Sequence, residues 1–421
     1  MPDSKKQREN LRKRLRRMGL VQGKKALNQP TQRRRVAIES LVDGSFHETP
    51  HGRCFVAELD FPLDHRHGDL PLARFLDLCP ELVALVGGDP SLSGIDLQRA
   101  VFLDTETTGL SGGTGTMAFL VGLGFFEDRR FRLRQAFMPD PGDEPALIHL
   151  LEECLPRFQA LISFNGRAFD LPILETRFTL ARRRFPLASP PHLDLLQPSR
   201  RLWSMRLASC ALGSLEREIL GVQRDQADVP GGEIPQIYRD YLRTGDAREI
   251  SRILYHNQID ILSMVTLAAR LCHTYANPLE EPVVPGTDLY ALARWYARTE
   301  GDVEGTLRLA LAADLSPEIR LQVLRDLALL IKREGRRSEA IEWWQQLAVE
   351  GLDQVLAAVE LAKTFEWQLS QLELATGWTR LALLRVERWP AGLRRKQVSA
   401  ELEHRLARLL RKLQAVAFPD D

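Results

Sequence analysis

The sequence predicts a mixed α/β domain followed by an all-α domain built of helical repeats. Strand-like apolar runs alternate with helical segments between about residues 96 and 280, and from about residue 285 the pattern is helical throughout. At 421 residues the chain is long for a single hydrophobic core, which also favours two or more domains. We therefore assign residues 96–280 to the α/β domain, 281–421 to the helical repeats, and 41–95 to a small N-terminal segment packed on the α/β domain.

Residues 1–40 are predicted to form a basic, disordered arm. The first 37 positions carry thirteen Lys or Arg residues against only Asp3 and Glu9, which gives a net charge of +11. Because the whole chain carries +1, the remainder carries −10. A basic arm on an acidic body is typical of a contact with the phosphate backbone of nucleic acid, although a solubilising tail has the same composition.

The cysteines and the N-terminus indicate a cytoplasmic protein. The five cysteines are scattered and form no Cys-x-x-Cys pair, which argues against a disulfide framework and against a zinc site. The N-terminus is charged and lacks the apolar stretch of a secretory signal. The longest apolar run, residues 117–126, is too short to cross a bilayer.

The α/β domain begins with a strand that ends in two acids. Residues 101–103 are apolar, and Asp104 and Glu106 follow with one residue between them. On a strand these two side chains point to the same face about 7 Å apart, where like charges repel unless a cation lies between them. Mg²⁺ or Mn²⁺ would suit such carboxylates. A strand that simply runs into an acidic turn has the same pattern, so the site requires further acids.

The other elements of this domain follow from hydrophobic periodicity and turn residues. The Gly-rich turn at 111–116 lacks the Gly-Lys-Ser/Thr of a phosphate-binding loop, and residues 231–241 have the composition of a loop. Strands are predicted at 117–126, 130–138 and 161–164, and helices at 145–155, 171–184 and 246–273.

Two further acids follow strands or helices of this domain. Asp170 opens the helix that follows strand 161–164, where capping the positive helix end would by itself account for a carboxylate. Asp260 lies in an apolar stretch of the last helix, where a charge is costly without a metal or a hydrogen-bonding partner. His256 precedes Asp260 by one helical turn, so the two share a face.

The C-terminal region repeats at the tetratricopeptide period. Matching residues recur 34 positions apart, as expected for successive helix–turn–helix units, and three degenerate repeats are predicted over about 287–385. Such repeats offer a concave face for a protein partner, whereas a plain helical bundle would show this spacing only by accident. The recurring pairs are Gly301 and Gly335, Leu327 and Leu361, and Trp344 and Trp378.

These motifs resemble those of a known family. The chain contains LDTETTGL, then FNGRAFDLPIL, then HNxxD, in the order found in the DEDD exonuclease superfamily of the ribonuclease H-like fold. More narrowly, the chain resembles the YprB-like nuclease family, also called mitomycin repair factor B, whose members carry C-terminal tetratricopeptide repeats. The motifs lie within 99–265, and the architecture is similar over roughly 40–400. The resemblance implies an α/β ribonuclease H-like domain followed by an all-α tetratricopeptide-like domain.

The resemblance also implies an activity and a set of site residues. It implies a 3′→5′ exonuclease that hydrolyses DNA with two divalent cations, Mg²⁺ or Mn²⁺, that acts in DNA repair and that works alongside a helicase. His256 is the implied general base, because the ordinary pKa of histidine, ~6.5, suits neutral pH. The implied metal ligands are Asp104, Glu106, Asp170 and Asp260, and the candidate substrate-positioning residues are Asn165, Phe169 and Thr107. Phe169 is equally suited to the core.

The assignment of the base departs from the family pattern. In the superfamily a histidine base stands five residues before the last Asp and a tyrosine stands four before it. Here His256 stands four residues before Asp260 and Tyr255 five before it. Helix geometry favours His256, and Tyr255 stays open if the helix begins close to it.

Two other functions stay open. An exoribonuclease would use the same residues, since none of these motifs reads a 2′-hydroxyl. A non-catalytic scaffold that binds strands and recruits partners is the alternative from another class, and the retention of all four acids and His256 argues against it.

Overall fold

The computed structural model describes residues 35–109, 113–187, 189–225, 228–280, 284–299, 301–351 and 355–417. The chain forms two compact units, each assembled from separate stretches of sequence. The described parts of the first unit lie within 35–65, 98–190 and 223–264, and those of the second within 66–97, 191–222 and 265–417. Residues 1–34 of the predicted arm lie outside the described residues.

A mixed sheet forms the centre of the first unit. The strands that this unit contributes lie in the order β1-β2-β5-β4-β3-β6, and neighbours run antiparallel except β3 and β6, which are parallel. The apolar run of β4 is buried from Ala118 through Phe126, so this strand forms the middle of the core. The strands are β1 (Ser45–Thr49), β2 (Gly52–Pro62), β3 (Ala100–Thr107), β4 (Ala118–Glu127), β5 (Arg130–Phe137) and β6 (Ala160–Ser163).

The N-terminal residues take part in this sheet, which differs from the separate segment predicted at 41–95. Strand β2 pairs with β5 from the Phe55–Phe137 pair to the Pro62–Arg130 pair, so its backbone hydrogen bonds extend the sheet. Residues 66–97 belong to the second unit instead. The prediction relied on sequence proximity, whereas strand pairing joins residues about 75 positions apart.

Among the described residues, the α-helices that accompany the sheet are α1 (Glu144–Cys154), α2 (Asp170–Leu180), α3 (Ile234–Thr244) and α4 (Arg248–Ala276), of which residues 248–264 belong to the first unit. Helix α3 shows that the loop predicted at 231–241 was wrong. Pro235 occupies the first turn, where a proline costs no hydrogen bond. Tyr238 is buried and stacks on Phe119 of β4 with ring centroids 4.0 Å apart. Tertiary packing therefore stabilises a helix where composition indicated a loop.

In the second unit, the described residues from Gly286 onward form helices and no strand, which confirms a helical C-terminal region after the α/β domain. One buried core contains Leu327 and Leu361, which recur 34 positions apart, together with Trp344. The identity of these helices as tetratricopeptide repeats stays a prediction. No helix among the described residues has the length and apolarity needed to span a membrane. The longer helices are Pro80–Gly87, Leu196–Trp203, Gly286–Tyr296, Val303–Ala312, Pro317–Arg333, Ala340–Glu350, Val355–Trp367, Leu372–Val386 and Leu393–Ala417.

One carboxylate anchors the last helix of this unit. The Glu366 side chain is fully buried and pairs with Arg405 and Arg408 at 2.8 Å and with Lys412 at 2.9 Å. Burial alone would raise the pKa of Glu366, but hydrogen bonds from Arg408 and Lys412 outweigh it and hold that pKa below its ordinary value. The ionised carboxylate therefore stabilises the fold above the pKa that it has in the unfolded chain, and this contribution disappears as the pH falls through the lowered folded value.

We expect Glu366→Gln to lower the free energy of unfolding by about 2 kcal/mol, because three cations lose their shared counter-charge while keeping partial access to water. Urea unfolding at neutral pH and at about pH 3 measures this effect. The difference between variant and wild type should shrink at the lower pH, because Glu366 of the unfolded chain is then largely protonated. A difference independent of pH would mean that lost packing, and not charge, causes the destabilisation.

Candidate active site

Strand β3 presents Asp104 and Glu106 on one face of the sheet. Both side chains are half-buried, whereas Leu103, Thr105 and Thr107 between and beside them are buried. This alternation is the one that a strand imposes on successive residues. The two carboxylates are close enough for the charge of Asp104 to act on Glu106.

Helix α4 reaches these acids because two glycines of β4 let it lie directly on the sheet. A Cβ atom at Gly122 would lie 2.2 Å from Oδ1 of Asn257, and one at Gly124 would lie 2.5 Å from Cγ2 of Ile261. Either contact would be a clash, so a larger residue would force the helix away from the strand. Since β4 neighbours β3, this close approach places residues 256–260 beside Asp104 and Glu106.

A buried chain of amides fixes Asp104. Nδ2 of Asn257 donates to Oδ2 of Asp104 at 2.7 Å, and Nε2 of Gln135 donates to Oδ1 of Asn257 at 2.8 Å. The same Gln135 nitrogen also donates to the carbonyl of Leu254 at 2.7 Å. Because Asn257 and Gln135 are both buried, these hydrogen bonds are shielded from water and hold the carboxylate in one orientation.

Asp170 is tied to β3. Its Oδ1 accepts hydrogen bonds from the backbone nitrogen of Thr105 at 3.1 Å and from the Thr105 hydroxyl at 2.5 Å. The turn before α2 requires a glycine at 166, since a Cβ there would lie 2.3 Å from Oγ of Ser163. The FNGRAFD string therefore turns the chain so that Asp170 faces the strand that carries Asp104.

His256 lies between the acids Glu106 and Asp260 on one side of its ring and Asp228, which orients the ring, on the other. Its Nδ1 is 2.7 Å from Oδ1 of Asp228, while its Nε2 is 3.7 Å from Oδ2 of Asp260 and 3.9 Å from Oε1 of Glu106. Because a carboxylate only accepts hydrogen bonds, the proton is assigned to Nδ1 and the lone pair of the neutral ring to Nε2. The accepting nitrogen then faces Glu106 and Asp260.

Arg224 is the cation beside these acids. Its Nη2 donates to Oδ1 of Asp260, and its Nη1 lies 3.4 Å from Oδ2 of Asp228. Nη1 of Arg224 also lies 3.0 Å from Nδ1 of His256. Both nitrogens are assigned as hydrogen-bond donors, and the Asp228 carboxylate accepts from each of them. Arg224 thus holds Asp228 and Asp260 on either side of the histidine.

The site includes residues that the sequence reasoning missed. Asn257 stands next to His256, and its adjacency to the candidate base was a usable signal. Arg224 and Asp228 lie in a stretch without periodicity, and Gln135 lies in an ordinary strand, so no pattern of the sequence singled them out.

Comparisons with known proteins place this site in a family. A family model described as RNase_H superfamily matches residues 101–272, which include β3, α2 and most of α4. A curated relative named "Uncharacterized protein YprB", from Bacillus subtilis (strain 168), is 32% identical over 370 residues that cover 85% of this chain and 86% of that protein. This chain belongs to the YprB family. Its α/β domain is accordingly an RNase H-like domain of nuclease type.

A solved structure gives a weaker likeness. The family B DNA polymerase from the hyperthermophilic archaeon Pyrobaculum calidifontis is 13% identical with a TM-score of 0.33, over 69% of this chain and 50% of the polymerase chain. This YprB-family chain thus spans about half the length of the polymerase that it matches. A likeness of this size carries no argument about function.

Burial and mutual repulsion shape the electrostatics of this YprB-family site. Burial first, and then the charges of Asp260 and Asp170, raise the pKa of Asp104 well above its ordinary value. Burial first, and then the charges of Asp104, Asp260 and Asp170, likewise raise the pKa of Glu106. The hydrogen bond from Asn257 lowers the pKa of Asp104, and the charge of Arg224 lowers both pKa values, but neither reverses the shift. The cluster therefore favours additional positive charge.

The donor set matches a hard divalent cation in chemistry. Carboxylate oxygens are the ligands that Mg²⁺ and Mn²⁺ prefer. Within the described parts of the chain, no group of three or more His, Cys, Asp or Glu side chains is arranged to hold a metal ion as it stands. Part of the reason is visible in the contacts: Arg224 engages one oxygen of Asp260, and Thr105 engages one oxygen of Asp170. A cation bound by Asp260 would compete with Arg224.

The structure separates the three candidate substrate-positioning residues. The Thr107 side chain is buried and its hydroxyl donates to the carbonyl of Gly109 at 2.7 Å. Phe169 is half-buried and packs against the core of the first unit, as a core residue does. Asn165 is exposed in the turn before α2 and has a left-handed backbone, with φ of 65°. The proposed role in substrate contact therefore fits Asn165 better than Thr107 or Phe169.

Tyr255 and His256 face different groups. Tyr255 hydrogen-bonds with Asp225, while His256 faces Glu106 and Asp260. Helix α4 is already regular at both residues, because it begins at Arg248. Adjacent residues of a helix project in directions about 100° apart, so the two side chains do not share a position.

Proposed function

We propose that this protein is a divalent-metal-dependent 3′→5′ exonuclease that hydrolyses phosphodiester bonds of DNA. The observation that carries the proposal is the convergence of four acids from three separate parts of the chain. The charges of Asp104, Asp170 and Asp260 all act on Glu106, and the site lies within an RNase H-like superfamily domain. Four carboxylates brought together at half-buried and buried positions would, without a function, only destabilise the fold.

We infer that two divalent cations, Mg²⁺ or Mn²⁺, complete the site. Asp104, Glu106, Asp170 and Asp260 are the residues that would hold them. When bound, such ions lower the pKa of a coordinated water and stabilise the attacking and leaving oxygens of the phosphoryl group. The amide chain through Asn257 and the hydrogen bonds from Thr105 keep Asp104 and Asp170 in fixed orientations for this task.

His256 is proposed as the general base. Its Nε2 faces the acid cluster and carries the lone pair when Nδ1 donates to Asp228. A base in this position takes the proton of the attacking water and passes it to solvent, and Asp228 stabilises the imidazolium that forms. Asp228 acts on the ring and not on the water, so we regard it as a positioning residue.

Labelled oligonucleotides test the function directly. With Mg²⁺ or Mn²⁺, the full chain should release labelled mononucleotide at once from 3′-labelled single-stranded DNA and shorten 5′-labelled DNA stepwise. EDTA should stop both reactions. Degradation of matched RNA alone would support an exoribonuclease instead. Metal-dependent binding without cleavage of either substrate would support a non-catalytic scaffold.

The remaining parts of the chain fit a role in DNA repair under this proposal. The helices from about 287 to 385 are proposed as tetratricopeptide repeats that dock a protein partner, and a helicase is the partner class implied by the family resemblance. The sequence carries no helicase motif of its own, so strand separation would come from that partner. We propose a cytoplasmic location, because the five scattered cysteines argue against a disulfide framework.

Deleting residues 1–37 is expected to weaken the binding of single-stranded DNA by about tenfold at low salt, because an arm with a charge of +11 is lost. The slope of log Kd against log salt concentration should also flatten by about 2, which corresponds to about three phosphate contacts. Fluorescence anisotropy over a salt series measures both values. The control replaces the arm with an uncharged Gly/Ser segment of equal length. Unchanged affinity and slope in both variants would exclude a role for the arm.

A further inference from the structure

The second unit contains a cavity whose charge the proposed active site does not explain. Its volume is about 340 Å³, and four arginines line it: Arg200, Arg201, Arg294 and Arg298. They come from two elements, the end of helix Leu196–Trp203 and the end of helix Gly286–Tyr296 with the turn that follows. Among the residues that the structure describes, no Asp or Glu lines this cavity.

The contacts that the described residues make with these arginines do not compensate their charges. Arg201 donates to the carbonyl of Val86 at 3.3 Å and lies over the Trp295 ring at 5.4 Å, and Arg294 lies over the Tyr290 ring at 5.8 Å. Neither kind of contact supplies a counter-charge. Burial first, and then the charge of Arg298, lower the pKa of Arg201, so the two guanidinium groups lie within electrostatic range of each other.

Helix ends alone do not account for the cluster. The helix dipole stabilises a cation near the C-terminus of a helix, which favours Arg200, Arg201 and Arg294 in each helix separately. That effect does not favour bringing Arg201 and Arg298, from different elements, close together. A bound anion would relieve the repulsion between them, and guanidinium groups bind phosphate oxygens in a bidentate manner.

We propose that this arginine-lined cavity binds the phosphates of a nucleic-acid strand. Two observations favour a strand over an enclosed small molecule. All four arginines are exposed, so their charged ends lie along an open surface that a polymer can follow. The one large aromatic in the lining, Trp295, is buried and already covered by Arg201, so it has little face for stacking a base. The phosphates, and not the bases, are therefore the groups recognised. The choice of a nucleic acid among phosphate-bearing ligands rests on the proposed function.

The test compares two double variants of the full chain. Arg200→Gln with Arg298→Gln removes two charges from the cavity, and these residues make none of the backbone or ring contacts of Arg201 and Arg294. Arg333→Gln with Arg388→Gln removes two exposed arginines elsewhere in the same unit and is the matched control. Binding of labelled single-stranded DNA is measured by anisotropy in EDTA, so that no metal-dependent cleavage interferes.

We expect the cavity variant to raise Kd at least about tenfold and to reduce the salt slope by about 1.4, since each phosphate contact on a single strand contributes ~0.7. The control pair should change Kd less than twofold. Arg200→Lys with Arg298→Lys should fall between wild type and the Gln variant, because lysine keeps the charge and loses the bidentate geometry. Equal losses in the cavity and control pairs would overturn the proposal.

Two further arms separate the sources of phosphate and the two proposals. One contrary result is that inorganic phosphate or dAMP binds the cavity of the wild-type chain although the Gln variant binds DNA with unchanged affinity. That result would overturn the assignment of the cavity to a nucleic-acid strand. Weakened strand binding without any cleavage by the wild-type chain would support this cavity and count against the nuclease. Cleavage by the wild-type chain, together with unchanged strand binding by the cavity variant, would support the nuclease and overturn the assignment of the cavity.

Discussion

Asp104→Asn is expected to lower the rate of DNA cleavage by at least about 10³-fold, with the fold intact. Asp104 shares its surroundings with Glu106, Asp170 and Asp260, so its charge is central to the proposed cation site. Loss of one charged ligand there would remove about 4 kcal/mol of transition-state stabilisation, which corresponds to about 10³-fold in rate. Single-turnover cleavage of 3′-labelled DNA measures the effect without interference from product release.

Stability provides an independent readout of the same variant. Burial and the charges of Asp260 and Asp170 oppose the ionised form of Asp104, so a neutral amide should leave the Tm unchanged or higher. The new side chain keeps an oxygen that accepts the hydrogen bond from Asn257. Activity and stability therefore move in different directions, which a merely misfolded variant does not reproduce.

Asp60→Asn is the matched control for this prediction. Asp60 lies on β2 of the same sheet and pairs with Arg132 on the surface at 3.0 Å, a kind of contact that contributes about 1 kcal/mol or less. We expect its cleavage rate to stay within twofold of the wild type. Cleavage by Asp104→Asn at the wild-type rate would exclude the proposed two-metal site.

His256→Ala should lower the rate constant for cleavage by about 10²- to 10⁴-fold, the range of a lost general base. Nε2 of His256 faces Glu106 and Asp260, whereas Tyr255 hydrogen-bonds with Asp225. Tyr255→Phe should therefore stay within about twofold of the wild type. Single-turnover cleavage rates of the two variants at saturating metal distinguish the two residues.

Asp228→Asn extends this test to the orientation of the ring. Asp228 accepts the Nδ1 proton at 2.7 Å, and an amide in its place can instead donate to Nδ1 and move the proton to Nε2. The imidazole then no longer offers a lone pair to the water, so we expect a loss of about 10²-fold in rate with little change in KM.

For the choice between His256 and Tyr255, a full loss of activity in Tyr255→Phe and wild-type activity in His256→Ala would reassign the base to the tyrosine.

Local patterns predicted much of the first unit correctly. The hairpin of β4 and β5, the short strand β6 and the long helix α4 follow from apolar periodicity and intervening turns. Helix α3 did not follow, since only the stacking of Tyr238 on Phe119 gives that segment a buried face. The role of β2 did not follow either, because its partner in the sheet is β5, far away in sequence.

For the site, the sequence by itself determined which residues carry the charge and which face they occupy. Strand alternation puts Asp104 and Glu106 on one side of β3, and the helical turn puts His256 beside Asp260. Their surroundings were decided by the tertiary structure alone. Gln135, Asn257 and Asp104 form a hydrogen-bonded chain only because Gly122 lets α4 lie on β4, and Arg224 reaches Asp260 from a segment without periodicity. Periodicity describes which face of a single helix or strand is buried. Contacts between elements depend instead on the order of the strands and on the distance between backbones, and residues far apart in the chain determine both.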